Sequence, residues 1–298
     1  MGFGCNVPAI MATRTLESRK DRLLTTLIIP FISCSARLPV YVLFISAFFV
    51  KNGGLVLVSI YLIGITVAVL TSLLLKRVFF RKEEAPFVME LPPYRVPTTR
   101  NVVRHMWGKG AQYLKKMGNV ILIASVLIWV LGHYPLAKPG MSAAEQQENS
   151  YIGRLGKAVE PAIRPLGFDW QVGVSLITGF AAKEVVVSTM AVLAGNGQTP
   201  IEVNGDGEAD EAARFSTLKE NLKTRAYTYG PRAGQPVFSP LVAYALMIFI
   251  LIYVPCIAVI TAIWREAGWR WALFSVFYTT GMAWLLAFAV YRIGMIFV

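Results

Sequence analysis

The chain has 298 residues, of which 55% are hydrophobic and 15% charged, and its mean hydropathy is +0.55. That balance excludes a soluble globular domain of ordinary composition and points to an integral membrane protein. The net charge of +12 would suit nucleic acid, but the basic residues fall between apolar runs with no zinc-finger spacing or RNA-binding signature, so no nucleic-acid partner is expected.

In chain order, Met1-Gly2-Phe3-Gly4 lacks the positive leader and apolar core of a cleavable signal peptide. Leu23 to Val50 is apolar apart from Arg37, but Pro30 and Pro39 interrupt it, which predicts a broken or re-entrant element leading into a helix near Pro39. Gly54 to Leu75 carries no charge over a length that crosses roughly 30 Å of hydrocarbon. Met117 to Tyr134 is a shorter span, and Gln171 to Gly195 is apolar except for Lys183 and Glu184 at its middle. Pro240 to Trp264 and Trp271 to Val290 complete six membrane elements, with Trp264, Trp269, Trp271 and Tyr291 where interfacial aromatic rings settle. The fold class expected is an all-α, polytopic helical bundle with proline-broken or re-entrant helices.

Lys76 to Lys116 is strongly basic and is assigned to the cytoplasm by the positive-inside rule. If each element crosses once, Pro135 to Trp170 lies outside, Asn196 to Ser239 inside, Arg265 to Arg270 outside and the C-terminus inside. A single re-entrant element reverses everything after it. Gln198 to Pro236, rich in Gly, Asp, Glu and Lys, reads as a flexible loop.

The three cysteines lie in apolar, proline-broken stretches: Gly4-Cys5-Asn6-Val7-Pro8, Ser33-Cys34-Ser35 between Pro30 and Pro39, and Val254-Pro255-Cys256-Ile257. A proline removes a backbone donor and frees a carbonyl, so thiols and peptide dipoles meet at membrane depth. Taken singly, each cysteine is as well explained by packing. Together, Cys5, Cys34 and Cys256, with oxygen from Asn6, Ser33 and Ser35 and from carbonyls near Pro8, Pro39 and Pro255, make a mixed sulfur and oxygen path that can replace part of a cation's hydration shell. A segment beginning Gly2-Phe3-Gly4-Cys5 also echoes one beginning Gly179-Phe180-Ala181-Ala182, and a broken, cysteine-bearing element follows each. Repeated halves with discontinuous helices meeting at the midplane are common in secondary transporters.

Five motifs then carry a resemblance: Gly4-Cys5-Asn6-Val7-Pro8-Ala9-Ile10-Met11-Ala12-Thr13-Arg14, Ser33-Cys34-Ser35-Ala36-Arg37-Leu38-Pro39-Val40-Tyr41, Met89-Glu90-Leu91-Pro92-Pro93-Tyr94, Ala182-Lys183-Glu184-Val185-Val186 and Tyr253-Val254-Pro255-Cys256-Ile257. In this order they closely resemble the transmembrane part of the ferrous iron transport protein B family. The resemblance implies a multi-pass permease of the bacterial inner membrane for Fe²⁺ uptake, with two gate repeats and an ion path at the cysteines. It divides the chain into 1–53, the end of a first gate repeat with its cysteine-bearing broken helix; 54–116, a transmembrane helix and basic cytoplasmic loop; and 117–298, a second gate repeat with C-terminal helices. A complete member also carries an N-terminal GTP-binding domain and further membrane segments. No GxxxxGK[ST] loop occurs in this chain, so no GTP site and no enzymatic role are expected of it, and the missing N-terminal half, membrane lipid and a homo-oligomer are the partners implied.

An ionised residue at mid-membrane costs roughly 2.5–3.5 kcal/mol on insertion scales, so Lys183 and Glu184 demand a role. Either Glu184 lines the cation path with Lys183 as a displaceable gate, or the two form a structural pair. Arg37 is expected to cap the carbonyls of a broken helix. Three alternatives stand beside iron transport: a gate-type carrier of an organic solute such as a nucleoside, a membrane thiol enzyme, against which HExxH, GxSxG and CxxC are all lacking, and an inactive fragment that needs a separate N-terminal half.

Overall fold

The computed structural model describes residues 4–16, 18–79, 98–135, 149–194, 216, 218–224 and 236–297, and the regular structure among them is helical. Four helical stretches among these residues are long and apolar enough to cross a membrane: Arg19–Phe48, Gly53–Val78, Pro240–Ala267 and Trp269–Ile296. The Met89 to Tyr94 motif and most of the expected loop Gln198 to Pro236 fall outside the described residues, but within that loop 218–224 is helical, with Leu218 and Leu222 buried in the core.

The chain begins with a short helix, α1 (Asn6–Ala12), and a 3₁₀ turn at Thr13–Thr15. The first broken element follows as α2 (Arg19–Ile28), a 3₁₀ turn through Pro30, a second at Ser35–Arg37, and α3 (Leu38–Phe48). Pro30 and the extended residues Ile32 and Cys34 make the break. Pro39 sits in the first turn of α3, where its missing N–H is an orphan in any helix, so it starts the helix and does not break it. Pro8 likewise falls in the first turn of α1.

The secure span is α4 (Gly53–Phe79), and α5 (Thr99–His133) is one helix of 35 residues. The basic segment expected as a loop is therefore helical from Thr99 onward and continuous with the Met117 to Tyr134 span. After α6 (Tyr151–Ile163), an Asp169-capped helix α7 (Trp170–Ala181) and α8 (Val185–Ala194) replace the single element expected from Gln171 to Gly195. The chain breaks at Ala182-Lys183-Glu184. The expected span Pro240 to Trp264 is also two helices, α9 (Pro240–Ile252) and α10 (Ile257–Ala267), broken at Tyr253 to Cys256, and α11 (Trp269–Phe297) closes the described chain.

The core gathers around α9, whose residues from Ala245 to Ile252 are all buried between α3, α4 and α11. By contrast α4 exposes Leu55, Leu62, Leu70 and Leu73 on its outer face, the pattern of a helix against lipid. At the crossing of α6 and α7, a Cβ on Gly156 would meet the Val174 side chain and the Trp170 carbonyl, so the backbones approach as closely as glycine allows.

Two pairings join the halves of the chain. Helix α1 of the first half packs on α10 of the second, while α8 of the second packs on α3 of the first.

The structure corrects the expected sidedness. Helices α7 and α8 fold back on each other as an antiparallel hairpin: Thr178 and Thr189 share a hydroxyl hydrogen bond of 3.0 Å, and Trp170 and Val174 cluster with Leu193. The element enters and leaves on one side, so every later segment is reversed. Three contacts agree. Phe238, just before α9, stacks near Phe44 and Phe48 at the end of α3 with centroids 5.4 and 6.3 Å away, and the Tyr244 hydroxyl meets Ser59 near the start of α4 at 2.9 Å. Glu266 at the end of α10 accepts from Arg14, which lies on the side of Arg19 and of the basic end of α4. Arg265 to Arg270 therefore shares the face of the basic segment instead of the opposite one. In a cysteine-free variant, an impermeant maleimide is expected to label Arg100→Cys and Arg270→Cys from one side and Asn52→Cys from the other. Labelling of Arg270→Cys together with Asn52→Cys would contradict the hairpin.

Candidate functional site

The breaks in the helices meet at one cavity of about 310 Å³. It is lined by Gly4, Cys5 and Asn6 ahead of α1, by Cys34, Ser35, Ala36 and Arg37 ahead of α3, by Ala181 to Glu184 between α7 and α8, and by Pro255, Cys256, Ala258 and Val259 at α10. All three cysteines thus face a shared space, although they are separated by up to 251 positions in the chain.

Each cysteine occupies the residue that starts a helix: Cys5 precedes α1, Cys34 the 3₁₀ turn that runs into α3, and Cys256 precedes α10. None of the three starts has a side-chain cap hydrogen bond. Four helices that begin elsewhere differ, since Ser18, Ser150, Asp169 and Ser239 each accept from an N–H three residues on, whereas Thr98 at the start of α5 makes no such cap. The cavity-facing starts therefore present peptide N–H groups and sulfur without the usual oxygen cap. Prolines act here by entering first turns or preceding them, as Pro255 precedes Cys256, and not by opening carbonyls in mid-helix.

The carbonyls that the breaks do free are already held. Arg37, 1% exposed, donates from Nη1 to the Ile32 carbonyl at 3.2 Å and from Nη2 to the Pro30 carbonyl at 3.1 Å. Its guanidinium closes the first break within its own half. Lys183, 3% exposed, donates from Nζ to the Val254 carbonyl at 2.7 Å, and Nζ lies 3.0 Å from the Tyr253 ring centroid. This cation stitches the α7–α8 break to the α9–α10 break, a cation–π contact adding to the hydrogen bond. Glu184 is exposed at the cavity wall, beside a lysine that is bound to a backbone carbonyl.

Asn6 is 3% exposed, lines the cavity, and its Oδ1 has no hydrogen-bond partner in the structure. A buried amide oxygen left open in this way is costly unless something in the cavity donates to it or is coordinated by it. Ser35 holds Gly4 in place, its N–H donating to the Gly4 carbonyl at 3.0 Å, and so fixes the start of α1 against the first break. Ser33 is buried behind the cavity and does not line it, and neither do Pro8 and Pro39. Among the described residues no group of three or more His, Cys, Asp or Glu side chains is close enough to hold a metal ion. The cysteines surround a space; they do not form a closed cage. The Val254 carbonyl and the Tyr253 ring were missed as site components, although the Tyr253-Val254-Pro255-Cys256 motif contains both.

If Arg37 satisfies two otherwise buried carbonyls, Arg37→Met should lower unfolding stability in detergent by about 2–4 kcal/mol, with Arg37→Lys recovering part of it. A loss under about 1 kcal/mol would mean that the carbonyls find other partners.

Family models match nearly all of this architecture. The model described as "Nucleoside recognition" matches residues 1–48 and 114–270, and the one described as "Ferrous iron transport protein B C terminus" matches 57–109. Over its full length the chain is 49% identical to part of the "Fe(2+) transport protein A/Fe(2+) transporter FeoB fusion protein" of Porphyromonas gingivalis, and spans 37% of that protein. It is 40% identical to the "Fe(2+) transporter FeoB" of Methanocaldococcus jannaschii over 99% of its length and 39% identical to that of Staphylococcus aureus over 100%, spanning 40% of each. The chain thus covers about two fifths of the length of these relatives. No solved structure matches it.

Proposed function

Since the chain belongs to the ferrous iron transport protein B family and corresponds to its carboxy-terminal membrane part, we propose that it moves Fe²⁺ across the bacterial inner membrane through the cavity where its three helix breaks and the start of α1 meet. The observation that carries this reading is the convergence of Cys5, Cys34 and Cys256 with Asn6 and Glu184 on that one cavity. The relatives are named as Fe²⁺ transporters, and a mixture of soft sulfur and hard oxygen donors suits that borderline ion.

The proposed path uses sulfur and oxygen loosely arranged. A permeation site must release what it binds, so one or two sulfurs at a time, with Asn6, Ser35 or Glu184 supplying oxygen, serve better than a four-ligand trap. The cavity leaves room for waters to remain on the ion. Lys183 blocks the Val254 carbonyl in this conformation, and an entering dication repels its ammonium group. Displacement of Lys183 would then expose that carbonyl as the next oxygen on the path. Arg37 acts structurally, holding the first break closed.

The amino-terminal portion of the longer relatives, which this chain does not cover, is the proposed partner, and a homo-oligomer in the membrane is compatible with the apolar outer face of α4. The "Nucleoside recognition" description favours one second reading, an organic solute in the same cavity. Radiolabelled Fe²⁺ uptake into vesicles carrying this chain with the amino-terminal portion of a relative separates the two. Cys5→Ser, Cys34→Ser and Cys256→Ser should each cut uptake roughly tenfold or more with insertion unchanged, and excess nucleoside should not compete. Unimpaired uptake in all three variants, or competition by nucleoside, would overturn the thiol path.

A further inference from the structure

Helices α1 and α10 lie side by side in the same direction. Their starts carry Cys5, Asn6 and Cys256 to the cavity, and their ends lie together at the face of the basic segment. Between the two ends the seam is apolar and made of small and branched side chains: Val7, Ala9 and Ile10 against Ala258, Val259, Ala262 and Ile263. At its outer end Arg14 donates from Nε to both carboxylate oxygens of Glu266 at 2.9 Å, and from Nη2 to Oε1. The Glu266 side chain is 9% exposed and the Arg14 side chain 50%, so the carboxylate is covered by the guanidinium that binds it. The two residues come from opposite halves, 252 positions apart.

We propose that the Arg14–Glu266 pair is the latch that closes the cysteine cavity toward the side of the basic segment, and that breaking it lets α1 and α10 part as the exit path. The argument is geometric. Helix α1 is only seven residues long and is tied at its start to Ser35. Its far end is tied to α10 by the bidentate pair and to α2 by the Thr13 and Thr26 hydroxyls at 3.4 Å, so releasing the pair leaves the apolar seam to hold α1 against α10. A fork-shaped arginine–carboxylate pair suits a latch, because its two parallel bonds demand one orientation and both are lost together. Weak apolar packing along a seam of small residues reseals without rearrangement. Arg14 and Glu266 are positioning residues here: they control access to the cavity and touch no ion.

The test reads access and requires no iron, so it stands apart from the transport reading on which the word exit depends. The chain is reconstituted in vesicles with either Cys256 alone (Cys5→Ser, Cys34→Ser) or Cys34 alone (Cys5→Ser, Cys256→Ser), and a charged maleimide is applied from the side that carries Arg77. Arg14→Gln and Glu266→Gln should each raise the labelling rate of Cys256 roughly two- to fivefold, the range set by one well-aligned ion pair near the surface. Cys34, which faces the same cavity, should gain access with Cys256, whereas Arg270→Cys in a cysteine-free variant, exposed on the labelled face, should keep its rate. The exchange Arg14→Glu with Glu266→Arg should return Cys256 to its original rate. Unchanged labelling of Cys256, an equal rise at Arg270→Cys, or no recovery in the exchange would each overturn the latch.

Discussion

A peptide group without a hydrogen-bond partner is intolerable in lipid, and every unusual feature of this fold answers to that constraint. Three membrane elements are broken, at Pro30 to Cys34, at Ala182 to Glu184 and at Tyr253 to Cys256, and each break releases backbone groups at depth. Two long basic side chains absorb the carbonyls. Arg37 turns back on its own break, whereas Lys183 reaches across to another. Without these cations the breaks would collapse into continuous helix or draw in water, and no cavity would persist between them.

The same constraint explains why the halves interlock. A short helix such as α1 or α8 cannot cross the bilayer alone, and its ends remain unsatisfied unless another element surrounds them. Packing α1 on α10 and α8 on α3 places the starts of the short helices at the buried centre and their ends at the surface. The cysteines lie at such starts, which makes the ligand-bearing positions also the positions where the chain changes direction. Movement of one short helix therefore changes the cavity directly, with no long lever between them.

Charge is distributed with the same economy. Arg37 and Lys183 are bound to carbonyls, and Arg14 is bound to Glu266 at the surface. Glu184 is left at the cavity wall, beside the thiols and the open oxygen of Asn6. A cavity whose fixed cations are engaged and whose donors are sulfur, amide and carboxylate can receive a divalent ion, provided that the ion's field competes with the lysine for the Val254 carbonyl.

The sequence by itself determined the class, the motifs and the chemical inventory of the site. Apolar length fixed α4 and α11, since no soluble fold buries such uniform segments, and the association of Cys5, Cys34 and Cys256 with broken chain was readable because proline and small polar residues interrupt helices locally. The family motifs followed from the same local strings. Sidedness after Gln171 was not legible, because a hairpin and a straight span share one hydropathy profile, and tertiary contacts such as that of Thr178 with Thr189 distinguish them. Nor could local pattern reveal that Lys183 binds the Val254 carbonyl instead of Glu184, or that Arg14 meets Glu266. Those pairings join residues 71 and 252 positions apart, and their formation depends on how the two halves dock, a property of the assembled bundle and of no single segment.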